Sequence, residues 1–185
     1  MRLNTFWDKE EHSDKHSTSA LLAKLLLPIF PKNEVIVDFG CGLGFYVEKF
    51  QQAGFSSYGI EGSSDIKDYA LTKDIVVADL SKPFDIILRH SSLSLEVGEH
   101  IANEFEDVFM DNITKNCAGK LVLSWAIPNQ GGYRHENEHD NEYVIKRIEN
   151  RGFKLNQTET ESIRDKIADD NCRWFKKSLM VFDRV

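Results

Sequence analysis

The sequence predicts an α/β protein: a three-layer α/β/α sandwich around a seven-stranded, mostly parallel sheet. Three observations lead there. Runs of apolar residues at strand period alternate with runs at helical period along most of the chain, with no long gap between them. A strand of buried type, Val35-Ile36-Val37-Asp38-Phe39, runs straight into a glycine-rich turn and then a helix. The 185 residues, 41% apolar and 29% charged, have the profile of one ordinary globular domain. A chain of that size buries roughly two-thirds of its unfolded surface without disulfides or a structural metal. We read residues 1–185 as one domain, with a helical N-terminal region at 1–31 and a core at 32–185.

Each element follows from local signals. Ser17 or Thr18 can cap a first helix in which Leu21, Leu22, Leu25, Leu26 and Ile29 recur at spacings of three and four, and Pro31 ends it. After the strand at Val35–Phe39, a helix from about Gly44 to Ala53 is closed by Gly54. Ser57–Glu61 is the second strand and Asp74–Asp79 the third. A fourth lies between Phe84 and Leu95, followed by a helix from about Gly98 to Asn112. Lys120–Trp125 is the fifth strand, and the next helix, Tyr143–Asn150, is stopped by Gly152. Phe153–Gln157 and Leu179–Phe182 supply the last two strands, with a short helix near Thr160–Ala168 between them.

Charge and cysteine content narrow the function. Lys and Arg number 23 against 30 Asp and Glu, a net charge of −7. An acidic domain does not draw phosphate backbones over long range, which argues against nucleic acid as a partner, although a local basic patch stays open. Cys41, Cys117 and Cys172 are odd in number and form no CxxC pair, so neither a zinc knuckle nor a disulfide framework is indicated. The polar N-terminus has no signal-peptide core. The longest apolar stretch, Ala20 to Phe30, is interrupted by Lys24 and Pro28 and is too short to span a bilayer. A cytoplasmic protein without membrane attachment is the expectation.

The informative segment is Asp38-Phe39-Gly40-Cys41-Gly42-Leu43-Gly44. Glycines after a buried strand let the backbone approach a ligand closely and turn into a helix N-terminus. A dinucleotide fingerprint, G-x-G-x-x-G, fails here because Phe45 holds its third glycine position. An acid two residues before the first glycine suits a cationic ligand and repels a pyrophosphate. Glu61, ending the second strand, can accept hydrogen bonds from both hydroxyls of a ribose. Asp79, ending the third, can take an exocyclic adenine amine; followed by Leu80-Ser81, it also fits a simple turn cap. Three acids at three successive strand ends describe a ligand with a charged amino-acid head, a ribose and an adenine, which is S-adenosyl-L-methionine.

At these residues the sequence resembles the class I S-adenosylmethionine-dependent methyltransferases, whose core is Rossmann-like. The likeness runs through Val35 to Gly44 with Tyr46-Val47, Asp79 to Asp85, Ser94 to Ile101 and Ser124 to Gly132. Trp174 to Lys177 and Leu179 to Phe182 match the family's final strand region. It implies that Gly40, Gly42 and Gly44 line the methionine moiety and Asp38 faces its ammonium. It also implies that Glu61 holds the ribose, Asp79 with the Leu80 backbone the adenine, and Ser94 and Glu96 lie near the sulfonium and the substrate opening. Phe84-Asp85-Ile86-Ile87-Leu88 looks locally like the fourth strand, but Ser91 to Leu95 is preferred because Glu96 to Ile101 must follow directly.

Glu96-Val97-Gly98-Glu99-His100 places two carboxylates and an imidazole within one helical turn. Some relatives, among them small-RNA 2′-O-methyltransferases and ubiquinone-pathway O-methyltransferases, carry ExxEH and bind a divalent ion there with a further distant histidine. His135 or His139 would supply it here, and such ligands suit manganese, iron or zinc better than magnesium. In many methyltransferases of this shape the same stretch merely starts a helix. Candidate bases are His100, His135 and His139, with His135 favoured because it follows Gly131-Gly132-Tyr133 beyond the fifth strand. The expected function is methyl transfer to O or N of a small-molecule acceptor. Two alternatives are a methyltransferase for an RNA end or sugar and a catalytically silent cofactor-binding or partner-regulating module.

Overall fold

The computed structural model describes residues 7–86, 89–167 and 171–185, with backbone alone at 13–15. Its seven strands are β1 Val35–Phe39, β2 Ser56–Glu61, β3 Ile75–Val77, β4 His90–Leu95, β5 Cys117–Ser124, β6 Phe153–Leu155 and β7 Leu179–Arg184. They form one sheet in the order β3-β2-β1-β4-β5-β7-β6. The first five pair in parallel, and β7 runs antiparallel to both β5 and β6. The chain builds outward from β1 to β3, then crosses back to place β4 on the other side of β1. That reversal opens a crevice beyond the carboxyl ends of β1 and β4, where open α/β sheets bind ligands.

The helices are α1 Lys9–Lys15, α2 Ala20–Leu26, α3 Phe45–Gln52, α4 Glu106–Thr114, α5 Asn141–Glu149, α6 Gln157–Lys166 and α7 Phe175–Ser178. Alternation along the strands sends Ile36, Leu93, Val122 and Val181 to one face of the sheet, against Leu22, Leu26, Phe50 and Ile163. Val37, Phe39, Leu121, Leu123 and Phe182 go to the other, against Phe109, Ile113, Val144 and Ile148. This is the three-layer architecture expected. Cys41, Cys117 and Cys172 are buried. Among the described residues no helix is long and apolar enough to cross a membrane.

Several boundaries differ from expectation, each for a local reason. Ser19, not Ser17 or Thr18, caps α2, accepting the Leu22 N–H at 2.8 Å. α1 was not anticipated as a separate helix; its N-terminus is closed by a reciprocal Asp8–Glu11 capping box. The single helix expected over Gly98–Asn112 is broken into 3₁₀ turns at Gly98–His100 and Asn103–Phe105, and only then α4. The Glu99 carbonyl is taken by the N–H groups of Glu136 and Asn137 at 3.0 and 3.1 Å, so it is not free to continue a helix. β3 covers only the centre of Asp74–Asp79. β5 starts at Cys117 and stops before Trp125, whose indole donates to the Asn137 carbonyl at 2.6 Å. Asn156 caps α6, which ends β6 at Leu155 and makes Gln157 helical. β4 agrees with the preferred register, and Phe84 to Ile86 form no strand. Residues 87 and 88 of that alternative, the expected helix end at Ala168, and residues 1–6 of the N-terminal region lie outside the described residues.

Candidate active site

A cavity of about 500 Å³ lies over the strand reversal. Gly40 and Gly42 line it, with Glu61, Asp79, Leu80 and Glu96 from the strand ends, His100 and His135 beyond, and Trp7 and His16 from the N-terminal side.

The glycine turn is shaped by close approach. Gly40 and Gly42 have φ of +76° and +52°. A Cβ on Gly42 would sit 2.6 Å from the His16 ring, and one on Gly40 2.5 Å from Val97. Gly44 departs from its expected place: it starts α3, and its open side is filled by Thr72 and Ile75, off the cavity wall. Glu61 folds the turn together, accepting N–H groups from Gly42 at 2.9 Å, Gly62 at 2.8 Å and Ser63 at 3.2 Å.

Asp38 lies behind this turn rather than on the wall, buried, with Oδ2 lacking a hydrogen-bond partner. Burial, and then the charge of Glu61, raises its carboxyl to about 8. Asp79 acts as the turn cap, accepting the Ser81 N–H at 3.0 Å and Oγ–H at 2.6 Å, while its carboxyl still lines the cavity. Burial pushes the Asp79 carboxyl up, but bonds from Ser81 and Lys82 outweigh it and hold it below the usual range. Ser94 also departs from expectation. It is fully buried and donates to the Phe39 carbonyl at 2.9 Å, tying β4 to β1 from behind.

Beyond β4 the chain turns sharply. Glu96 has φ of +55°, and Asn129 and Arg134 on the facing loop have +68° and +59°. Non-glycine residues held this way cost of order 1–3 kcal/mol each and gather at functional sites. Glu96 faces the cavity and is tied down, accepting from Gln130 Nε2 at 2.5 Å and Ser178 Oγ at 3.1 Å. Glu99 points inward at 0% exposure, and neither of its oxygens accepts a hydrogen bond. Burial, and then the neighbouring Glu96, push its carboxyl well above the usual range.

His135 brings Nε2 to 3.9 Å from Glu99 and donates Nδ1–H to Glu138 at 3.0 Å. His100 gives its Nδ1 hydrogen to the Arg134 carbonyl at 3.3 Å, and burial lowers its imidazole to about 4. Glu99, His100 and His135 each offer a ligand atom within 4.8 Å of the others. His139 stays apart, bonded to the buried Glu106 at 2.7 Å and stacked on Tyr143. Of the sequence candidates, the fold therefore assembles Glu99, His100 and His135, leaving Glu96 and His139 with other partners.

The N-terminal roof was missed. Trp7 hangs by its carbonyl from Ser63 Oγ at 2.8 Å, and Glu11 of α1 accepts from Tyr133 Oη at 2.8 Å and pairs with Arg134 at 2.7 Å. His12 and His16 are both lowered, His16 to about 4, chiefly by burial. The usable signal was Asp8-x-x-Glu11, a capping-box pattern, followed by histidines four apart.

No protein-family model matches the sequence, and no curated protein matches it significantly. Solved structures do. A TehB-like SAM-dependent methyltransferase from Corynebacterium glutamicum matches with a TM-score of 0.65 and 20% identity, over 96% of this chain and 94% of its own. Magnesium protoporphyrin IX methyltransferase from Synechocystis, solved with bound SAM, gives 0.63 and 18% identity, over 90% and 77%. The 4+2 cyclase SpnF gives 0.62 and 14%, over 88% and 79%, so one fold serves different reactions. The chain has the fold of the class I S-adenosylmethionine-dependent methyltransferases.

Proposed function

We propose that this protein is an S-adenosylmethionine-dependent methyltransferase acting on O or N of a small-molecule acceptor. The observation that carries the reading is the cavity at the strand reversal, where the glycine turn and the strand-end acids Glu61 and Asp79 meet a wall of histidines, with Asp38 buried behind the turn. Bound S-adenosylmethionine would supply a methyl group already activated on a sulfonium, so the protein's tasks are positioning, exclusion of water and proton removal.

Gly40 and Gly42 give the methionine moiety room, and Asp38 holds the ammonium from behind the turn. Glu61 holds the ribose, and Asp79 with the Leu80 backbone the adenine. Gly44 and Ser94 serve the site indirectly, as packing residues behind the wall. His135, oriented by Glu138, takes the acceptor's proton, with His100 beside it. Glu99, His100 and His135 would alternatively hold a divalent ion of the manganese, iron or zinc type, with His135 a ligand in place of the base and the ion a Lewis acid on the acceptor. In that case the purified protein retains stoichiometric metal and a chelator slows turnover without changing cofactor affinity. Metal-free protein that is fully active would remove the ion from the reading.

Calorimetry with S-adenosylmethionine and its demethylated product tests the cofactor assignment. Burial and the Glu61 charge push the Asp38 carboxyl up to about 8, and an ammonium across the turn favours the carboxylate. Binding at pH 7 should therefore release a proton, and the measured heat should differ between buffers of different ionisation enthalpy. Affinity should rise with pH until the ligand's own amino group titrates, at about 8. Absence of binding, or equal binding by Asp38→Ala, would sink the assignment. Labelled-methyl incorporation across metabolite, RNA and protein pools then separates small-molecule transfer from RNA methylation and from a silent module.

A further inference from the structure

The far end of the cavity presents two imidazole acceptors and no fixed cation among the described lining residues. His100 and His135 each spend Nδ1–H on a fixed acceptor, Arg134 carbonyl or Glu138 carboxylate, which leaves Nε2 as a lone pair. Glu99, fully buried between them, has no hydrogen-bond partner on either oxygen. Two donors nearby are committed, Tyr133 Oη to Glu11 and Gln130 Nε2 to Glu96, while the Trp174 indole N–H has no hydrogen-bond partner. Among the described lining residues there is no lysine or arginine, and Arg134 turns away to pair with Glu11. The surrounding wall is aromatic, with Trp7 edge-on to His100 at 5.3 Å and to Tyr133 at 6.3 Å, and Phe105 and Trp174 completing it.

We infer that the acceptor is a small aromatic molecule without negative charge that presents an O–H or N–H donor to His100 and His135, which line the cavity. The inference rests on the methyltransferase reading. A carboxylate or phosphate would meet the Glu96 carboxyl and the histidine lone pairs, with no lysine or arginine among the described lining residues to pair with. A donor instead pairs with the Nε2 lone pairs of His100 and His135 on the cavity wall. In the transfer, the new C–O or C–N bond forms as the C–S bond breaks. The electron pair of that bond stays on sulfur, and the acceptor's proton passes to His135 Nε2.

The test is calorimetric binding of four probes to the protein already saturated with the demethylated cofactor. Catechol and aniline are expected to bind at least tenfold more tightly than benzoate and phenyl phosphate. Ala102→Lys, which sets a cation on the wall, is expected to narrow or invert that preference. Equal or tighter binding of the two anions to the parent protein, or no binding of catechol and aniline at millimolar concentration, overturns the inference. Failure to bind the demethylated cofactor itself would instead overturn the methyltransferase reading.

Discussion

Replacing Glu61 with alanine is expected to weaken binding of the demethylated cofactor roughly a thousandfold, about 4 kcal/mol. Two losses combine. A carboxylate offers about four acceptor positions, and three of those on Glu61 are filled by the N–H groups of Gly42, Gly62 and Ser63. The remaining position, and sharing of the others, would hold the ribose hydroxyls, so the residue both shapes the turn and grips the ligand. Alanine removes the grip and strips three backbone donors of their partner. Each donor left unsatisfied costs of order 1–3 kcal/mol where water cannot replace it, so the melting temperature should also fall by several degrees. Glu61→Gln keeps an acceptor oxygen and is expected to lose about tenfold. Since the Glu61 charge helps raise Asp38, the pH-dependent rise in affinity should move to lower pH in both variants. Alanine-variant binding within threefold of the parent would remove Glu61 from the site.

The second large effect is on turnover. His135→Ala is expected to lower kcat about a hundredfold, the usual contribution of a positioned base, with cofactor affinity unchanged within twofold. His135 packs under Gly132 and is held by Glu138, which also accepts from the Asn129 and Gly131 N–H groups at 2.9 and 3.2 Å. The alanine variant therefore risks loosening that loop. His135→Gln, which can still donate to Glu138, separates the two causes: a loop defect is restored and a lost base is not. His100→Ala should matter less, because an imidazole lowered to about 4 is a weak base. Unchanged turnover in His135→Ala would take it out of the mechanism.

Sequence was most informative where structure is made locally. Val35–Phe39, the glycine turn, α3 and β2 follow one another within a stretch whose apolar spacing, glycines and terminal acid carry their own geometry. Elements made by distant partners were illegible. α1 has the sequence Lys9-Glu10-Glu11-His12-Ser13-Asp14-Lys15, with no apolar period, and it is anchored by contacts at Tyr133 and Arg134 far along the chain. The break at Gly98–Phe105 was hidden because the Glu99 carbonyl is claimed from Glu136 and Asn137, and Gly98 must lie flat against the Trp125 ring. Ser94 and Gly44 were plausible wall residues by position, yet neighbouring chain fills the space each would face. The choice of His135 over His139 likewise depended on Glu106, a core acid whose partners Asn137, His139 and Tyr143 all come from the later loop and helix.

The placement of the indoles has a practical consequence. The chain has 3 tryptophans; Trp7 and Trp174 line the cavity, whereas Trp125 is locked in the core against Phe109. Two emitters therefore border the space a ligand would fill, while the third supplies a steady background. Intrinsic fluorescence should report occupancy of the native protein without any label, and Trp7→Phe against Trp174→Phe should say which wall a given ligand touches.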